Sequence, residues 1–386
     1  MTYAILAPVT IPTLPTSPVP SSPPPPPPEP VQLPLSWILQ HAAAPIQYRA
    51  IVDLARFDNA SARLPSLVFS YRPALSLALS QSGDGTWNGS MLTVPGTRAE
   101  QFEGVGTIPA YRRLLEYGWD REAPPLLHAR RLLFRLLAED DDPAFLFEFG
   151  SKSKPDSDLV HRGRSILREA AAAALAHAGY EGDPRLRGAA KRILDRVDAF
   201  LRSPLAAKPW IRVGNKQVLS PEAAPPSLHV IAMIAYMPLF RSEHHSQVDR
   251  LYTYLSQPLP RQESQQLVGK HIIAQPHLVL GDMLPNRNAA DADVPFALTW
   301  LELTARLQFL RRNDGWLGLY ERFLDDRDRD YIWHPHRGMA MPRSTNPAVW
   351  PLFPLEAITS GEERWTDVTF RLGLIARFLG RPIELV

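Results

Sequence analysis

Residues 81–89 read QSGDGTWNG, and the fold turns on how that stretch is read. The small and apolar run Ala74–Leu79 before it suits a helix, and Gln81 sits near that helix's end. Gly83 or Gly85 can adopt the left-handed conformation that releases the chain, because glycine has no Cβ to clash there. Asp84 can cap the next turn. Trp87 can fold back over the Gln81 side chain, covering the helix end and satisfying its orphan polar groups. On this reading the glycines stop one helix and the tryptophan seals a helix-to-helix junction.

The surrounding sequence supplies more such junctions. Asp183-Pro184 is an N-cap followed by proline in the first turn. Leu186, Ala190, Ile193, Leu194, Val197 and Leu201 then keep one face apolar. The run Leu159–Ala178 ends at Gly179, so a helical hairpin is predicted with a Gly-Tyr-Glu-Gly-Asp connection. Ser36 is read as the cap of a helix carrying Trp37, Ile38 and Leu39. Val248, Leu251, Tyr252 and Leu255 share a face. Asp293–Leu310 reads as a capped helix with Trp300, Leu303, Leu307 and Leu310 inward. Ser360 and Glu363 form a capping box ahead of Trp365, Val368, Leu372, Ile375 and Leu379, with Gly380 and Pro382 closing that helix. Tryptophans at 300, 316, 333, 350 and 365 fit one bulky packing residue per helix-plus-turn unit. The best strand signal is Trp210-Ile-Arg-Val, Gly214-Asn215-Lys216 and Gln217-Val-Leu, a small surface hairpin. The body is therefore expected to be all-α, built of successive helical hairpins.

Gln81-x-x-Asp84-Gly85-x-Trp87 resembles the QW repeat of terpene cyclases and protein prenyltransferases. Asn313-Asp314-Gly315-Trp316 looks like a degenerate second copy. Pro45-Ile-Gln-Tyr48-Arg49-Ala-Ile-Val-Asp53-Leu is similar to the start of bacterial proteins carrying these repeats. The resemblance implies an α/α toroid, two concentric rings of helices around an apolar hollow. It also implies chemistry that the chain can be checked for. Zinc in the prenyltransferases needs a cysteine, and this chain has none. The D-x-D-D acid of the class II cyclases does not occur. Its nearest counterpart, Asp140-Asp141-Asp142-Pro143, reads as a helix exit before proline.

The D-D-x-x-D magnesium motif of ionising terpene enzymes is approached by Leu324-Asp325-Asp326-Arg327-Asp328-Arg329-Asp330. On a helix, Asp326 and Asp330 would share a face, as would Asp325 and Asp328. Magnesium accepts such oxygens, and Arg327 and Arg329 would compete with it for them. Asp325, Asp326 and Asp330 are the candidate catalytic residues. His334-Pro335-His336 follows, and both imidazoles could reach a zinc ion from an extended segment with Asp330 as third ligand. Iron–sulfur clusters are excluded by the missing thiols, and no haem or nucleotide motif is found.

The first 35 residues differ in texture. They hold 13 of the 40 prolines and one charged residue, Glu29. Pro23, Pro24, Pro25, Pro26, Pro27 and Pro28 can form only an extended polyproline rod, about 19 Å long at about 3.1 Å per residue. Residues 1–35 are read as a spacer or docking arm able to seat a protein partner, and 36–386 as a single helical domain. A formal charge of +2 and the lack of any basic block argue against nucleic acid. No run suits a signal peptide or a transmembrane helix, so a soluble, cytoplasmic protein is expected.

Two functions follow from these readings. One is a scaffold that binds a partner or a hydrophobic ligand, tethered by its arm. The alternative is an isoprenoid-processing enzyme with a substituted site. A carbohydrate-active barrel with a carboxylate pair is a more distant third.

Overall fold

The computed structural model describes residues 29–57, 63–96, 98–138, 157–335, 344–356 and 365–386. The chain enters through strand β1 (Val31–Leu33), then α1 (Leu35–His41) and α2 (Ala44–Arg49), which runs on as a π-helical turn over Ala50–Ala55. Next come α3 (Pro65–Phe69), α4 (Arg72–Leu79), α5 (Thr107–Glu116), α6 (Pro124–Leu136), α7 (Ser157–His177) and α8 (Pro184–Leu201). A hairpin, β2 (Trp210–Val213) and β3 (Lys216–Leu219), precedes α9 (Leu228–Ala235), α10 (Pro238–Glu243) and α11 (His245–Leu255). A second hairpin, β4 (Gln265–Val268) and β5 (His271–Ala274), leads to α12 (Arg287–Ala292), α13 (Val294–Arg306) and α14 (Asp314–Asp325). The described chain closes with α15 (Thr366–Leu379) and β6 (Ile383–Leu385).

The helical hairpin predicted around Gly179 is present. Asp183 caps α8 by accepting from the Arg185 amide, and Gly179 takes a left-handed φ of +78° behind α7. The six alanines of α7 from Ala170 to Ala176, interrupted only by Leu175, are fully buried or nearly so. Their small side chains let α5, α6 and α9 pack close on α7. Every residue of α9 is buried, as is most of α13 and α15, so these helices form the centre of the molecule.

The expectation of an all-α fold, and of an α/α toroid as its form, is corrected to mixed α/β. Among the described residues there are two sheets. In one, β1 pairs in parallel with β6, Val31 opposite Ile383. In the other the order is β2-β3-β4-β5, the two hairpins being joined through a parallel β3–β4 contact at Leu219 and Gln266. Only the β2–β3 hairpin is legible as strand in the sequence. The second hairpin turns on Gly269-Lys270, and buried Gln266 fixes it by donating to the carbonyls of Ser220 (3.0 Å) and Ala223 (2.8 Å). The first sheet joins residues near the two ends of the described chain, a pairing that no local pattern announces.

Individual elements differ from expectation too. Ser36 lies inside α1, whose N-cap is Pro34. The helix capped by Asp293 ends at Arg306, and Leu310 belongs to a separate 3₁₀ turn. The evenly spaced tryptophans are buried; Trp300 and Trp316 lie in helices, and Trp333, Trp350 and Trp365 lie outside them. Of the 1–35 arm, residues 1–28, with Pro23 to Pro28, lie outside the described residues, while Val31–Leu33 is built into a sheet. Asp140–Asp142, His336, Ser360 and Glu363 also lie outside them.

Candidate functional site

The Gln81–Trp87 motif is a structural joint. Gly85, at φ +87°, packs against the backbone of His128 in α6. Asp84 accepts from the Thr86 amide and hydroxyl, and Gln81 donates to the carbonyls of Gly85 (3.0 Å) and Pro125 (2.9 Å). Buried Trp87 donates its Nε1–H to the Leu77 carbonyl at 2.7 Å, satisfying an orphan acceptor in the last turn of α4. The second copy works differently. Asn313 caps α14 by accepting from the Trp316 amide, and Trp316 Nε1–H donates to Asp282 at 2.7 Å. Gly315 simply occupies the first turn of α14. Trp87 therefore closes a helix C-terminus and Trp316 sits at an N-terminus.

Among the described residues, the members of the acidic and histidine segment take different positions. Asp325 ends α14 and is exposed, Asp326 lies 3.9 Å from Arg322, and Asp330 is exposed in the following turn. Asp328 accepts from the amides of Asp330 and Ile332 and contacts His334 at 2.7 Å. Among the described residues no group of three or more His, Asp or Glu side chains is arranged to hold a metal ion.

A charged cluster does converge elsewhere, between α2, α5, α7, α13 and α15. Glu116, the last residue of α5, is its hub. It accepts from Arg49 and, at 2.7 Å, from Arg371, and it meets His177 Nε2 at 3.0 Å. Arg371 also reaches Glu302 at 2.7 Å and lies 3.7 Å from Asp367. Glu302 holds Arg306 at 2.9 Å, and Arg49 holds Asp53 at 2.9 Å. Glu116, Glu302, Asp367 and Arg371 are each at most 2 % exposed.

A carboxylate at a helix C-terminus opposes the helix dipole, and burial makes its charge costlier still. Burial alone would raise the pKa of Glu116, but Arg49 and Arg371 outweigh it and hold the group well below the usual carboxylate range. Burial likewise opposes the charge on Glu302, and Arg306 and Arg371 outweigh it. Asp367 goes the other way, because desolvation wins over Arg371. His177 is pushed down to about 4 by burial, against the opposing pull of Glu116. Its imidazole is thus neutral at pH 7. His177 Nε2 lies 3.0 Å from Glu116 Oε1, and both Glu116 Oε1 and His177 Nδ1 are buried with no hydrogen-bond partner among the described residues; with the imidazole proton on Nε2, Nδ1 is an acceptor.

This cluster forms one wall of a cavity of about 470 Å³. Arg49, Asp53, Glu116 and His177 line it together with Tyr48, Trp119, Asp120 and Arg121. Exposed Asp120 and Arg121 stand at its rim, on the turn that follows Gly118. Gly118 is at φ +86°, and a Cβ there would stand 2.6 Å from the Tyr48 ring. Arg121 is tied to the end of α7 by a 2.9 Å bond to the Gly179 carbonyl. The volume falls within the range of small-molecule sites, about 300–1,000 Å³.

Asp325, Asp326, Asp330 and His334, the candidates drawn from the sequence, do not line this cavity. Arg49 and Asp53 stand out in the sequence only as part of a resemblance, and Glu116, His177, Glu302 and Arg371 escape it altogether. The available signal is a charged pair four residues apart on an otherwise apolar helix: Glu302 and Arg306, or Asp367 and Arg371. Comparison with family models, curated proteins and solved structures gave no match for this chain. Among the described residues no helix is long and apolar enough to cross a membrane.

Proposed function

We propose that this protein binds a small, polar, hydrogen-bond-donating molecule, an amine or a polyol, in the cavity beside Glu116 and His177. The observation that carries this reading is a neutral His177 beside Glu116 in a cavity wall, with two buried acceptors there, His177 Nδ1 and Glu116 Oε1, that have no partner among the described residues. A buried acceptor without a partner is costly, and a ligand donor would relieve it. The carboxylates of Asp53, which also meets Arg49, and of Asp120, which also accepts from the Glu122 amide, add oxygens to the same lining. The cations there are already engaged: Arg49 by Glu116 and Asp53, Arg121 by a backbone carbonyl. The balance of free capacity favours a donor over an anion.

This retains a binding role and changes the ligand from the apolar molecule that the sequence suggests to a polar one. A charged wall penalises an isoprenoid chain, since its ions would lose water without gaining partners. Docking of a protein partner through the proline arm, in the cytoplasm, stays part of the same reading.

The test is thermal denaturation with ethanolamine, putrescine and glucose, beside acetate and farnesol as contrasts. At about a hundred times its dissociation constant, a ligand adds about 2.7 kcal/mol of stability. Amines or polyols are expected to raise the midpoint, and Asp53→Asn to blunt that rise. A response to farnesol alone would restore the apolar reading. No response to any probe would remove the ligand-binding reading.

A further inference from the structure

Four arginines among the described residues are buried: Arg49, Arg112, Arg113 and Arg371. Three of them meet strong acceptors, with only Nε of Arg371 lacking a hydrogen-bond partner among the described residues. Arg49 and Arg371 meet carboxylates, and Arg113 donates to the Trp350 carbonyl at 2.8 Å and to that of Pro354. Arg112 is the exception. It lies in the middle of α5, 1 % exposed, and its one hydrogen bond among the described residues is a long contact of 3.5 Å from Nη1 to the Ala348 carbonyl. Its Nε and Nη2 have no partner there. These two atoms form one edge of the guanidinium, the side-on fork that receives two oxygens of a carboxylate or phosphate at once.

Two other buried polar groups are also unsatisfied. His229, on α9, is 4 % exposed and its Nδ1 has no partner among the described residues. Tyr236, which caps α9, is buried at its hydroxyl, and that hydroxyl likewise has none. Both groups lie within electrostatic reach of Arg112. His229 stacks on His277 at 6.5 Å between ring centroids, and burial holds both imidazoles neutral at pH 7. No carboxylate pairs with Arg112 within salt-bridge distance among the described residues. An unpaired buried guanidinium is complementary to an anion.

We propose that Arg112 is the seat of an interior oxyanion, a carboxylate or phosphate group received by its Nε–H and Nη2–H edge. Arg112 does not line the 470 Å³ cavity, although it lies within electrostatic reach of His177 there, so this seat adjoins the amine or polyol site and takes ligands of opposite character.

Protein purified in chloride-only buffer is denatured, and the released anions are measured by ion chromatography and mass spectrometry. In parallel, thermal midpoints are recorded with added phosphate and with added acetate, against sodium chloride at equal ionic strength. The seat predicts either a released oxyanion near one per chain or a rise in midpoint specific to phosphate or acetate. Which of the two anions acts identifies the source. Arg112→Met removes both signals while leaving the response to amines and polyols intact. Arg112→Lys keeps the charge without the fork, and the dissociation constant rises about tenfold or more. If Arg112→Met does not fold, Arg112→Lys and the released-anion assay on the wild type still decide. No released oxyanion together with no anion-specific shift in the wild type overturns the proposal. So does an unchanged response in either variant.

Discussion

Replacing Glu116 by glutamine tests whether the buried cluster holds the fold together as described. The amide keeps the shape and one acceptor oxygen but removes the charge. Arg49 then retains Asp53 at 2.9 Å, and Arg371 retains Glu302 at 2.7 Å. Each guanidinium is left with one strong carboxylate partner where it had two. Removing one member of a buried ion pair costs about 3–5 kcal/mol because a charge is left uncompensated. The surviving partners place Glu116→Gln at the lower end, about 3 kcal/mol. Unfolding entropy scales with length at about 2.1 cal/mol/K per residue, which gives about 0.8 kcal/mol/K for a chain of 386 residues. The midpoint should therefore fall by about 4 °C. Urea denaturation gives the free energy directly, and Glu116→Gln combined with Arg371→Met should show a coupling of about 0.5–3 kcal/mol. A loss below about 1 kcal/mol with no coupling would demote the hub to a surface-type contact and end this explanation of the core.

Other consequences can be measured in the same assays. Trp87→Phe leaves the Leu77 carbonyl without its donor and opens space in the core, for a loss of about 2–4 kcal/mol in urea denaturation. Gly118→Ala forces a left-handed residue and pushes a methyl into the Tyr48 ring, costing about 1–3 kcal/mol and weakening amine or polyol binding in the thermal assay. Stability should fall as pH drops from about 6.5 towards 4. Burial holds His177 and His277 at about 4 and His229 at about 3, so the unfolded chain binds protons there that the folded chain refuses. With three such groups the slope reaches at most about 4 kcal/mol per pH unit. Glu116 and Glu302, whose pKa values are lowered, extend the loss to lower pH, and Asp367, whose pKa is raised, opposes it. A flat profile between pH 7 and 5 would count against neutral buried imidazoles.

Local signals are readable where the physics is local. Asp183 and Asp293 cap helices as their spacing implies, and Gly179 and Gly380 leave helices in the left-handed conformation. Strand β4 and its partner carry the same mark as the first hairpin: Val268-Gly269-Lys270 repeats the Val213-Gly214-Asn215 pattern. Polar residues on both sides of that glycine obscure it. The β1–β6 pairing cannot be read at all, because it depends on two segments brought together only by the packing of α15.

The site is hidden for a related reason. Arg371 and Glu302 belong to helices that are apolar almost all round, where a charge looks like an exposed exception. Only the tertiary fold shows that the exceptions from α2, α5, α13 and α15 meet. Asp325, Asp326 and Asp330 draw attention because they are close in sequence, yet Asp326 lies beside Arg322 while Asp325 and Asp330 are exposed. Fully paired charges inside a protein are often fixed by many long-range contacts, none of which has a sequence period.

Crystals of the protein soaked with putrescine and, separately, with glucose decide whether the cavity takes a hydrogen-bond donor. Density for one of the two is expected there, with a donor within about 3 Å of His177 Nδ1 and a second on Asp53 or Asp120. A cavity that stays free of both probes at saturating concentration, or one filled by farnesol under the same conditions, would overturn the polar-ligand assignment.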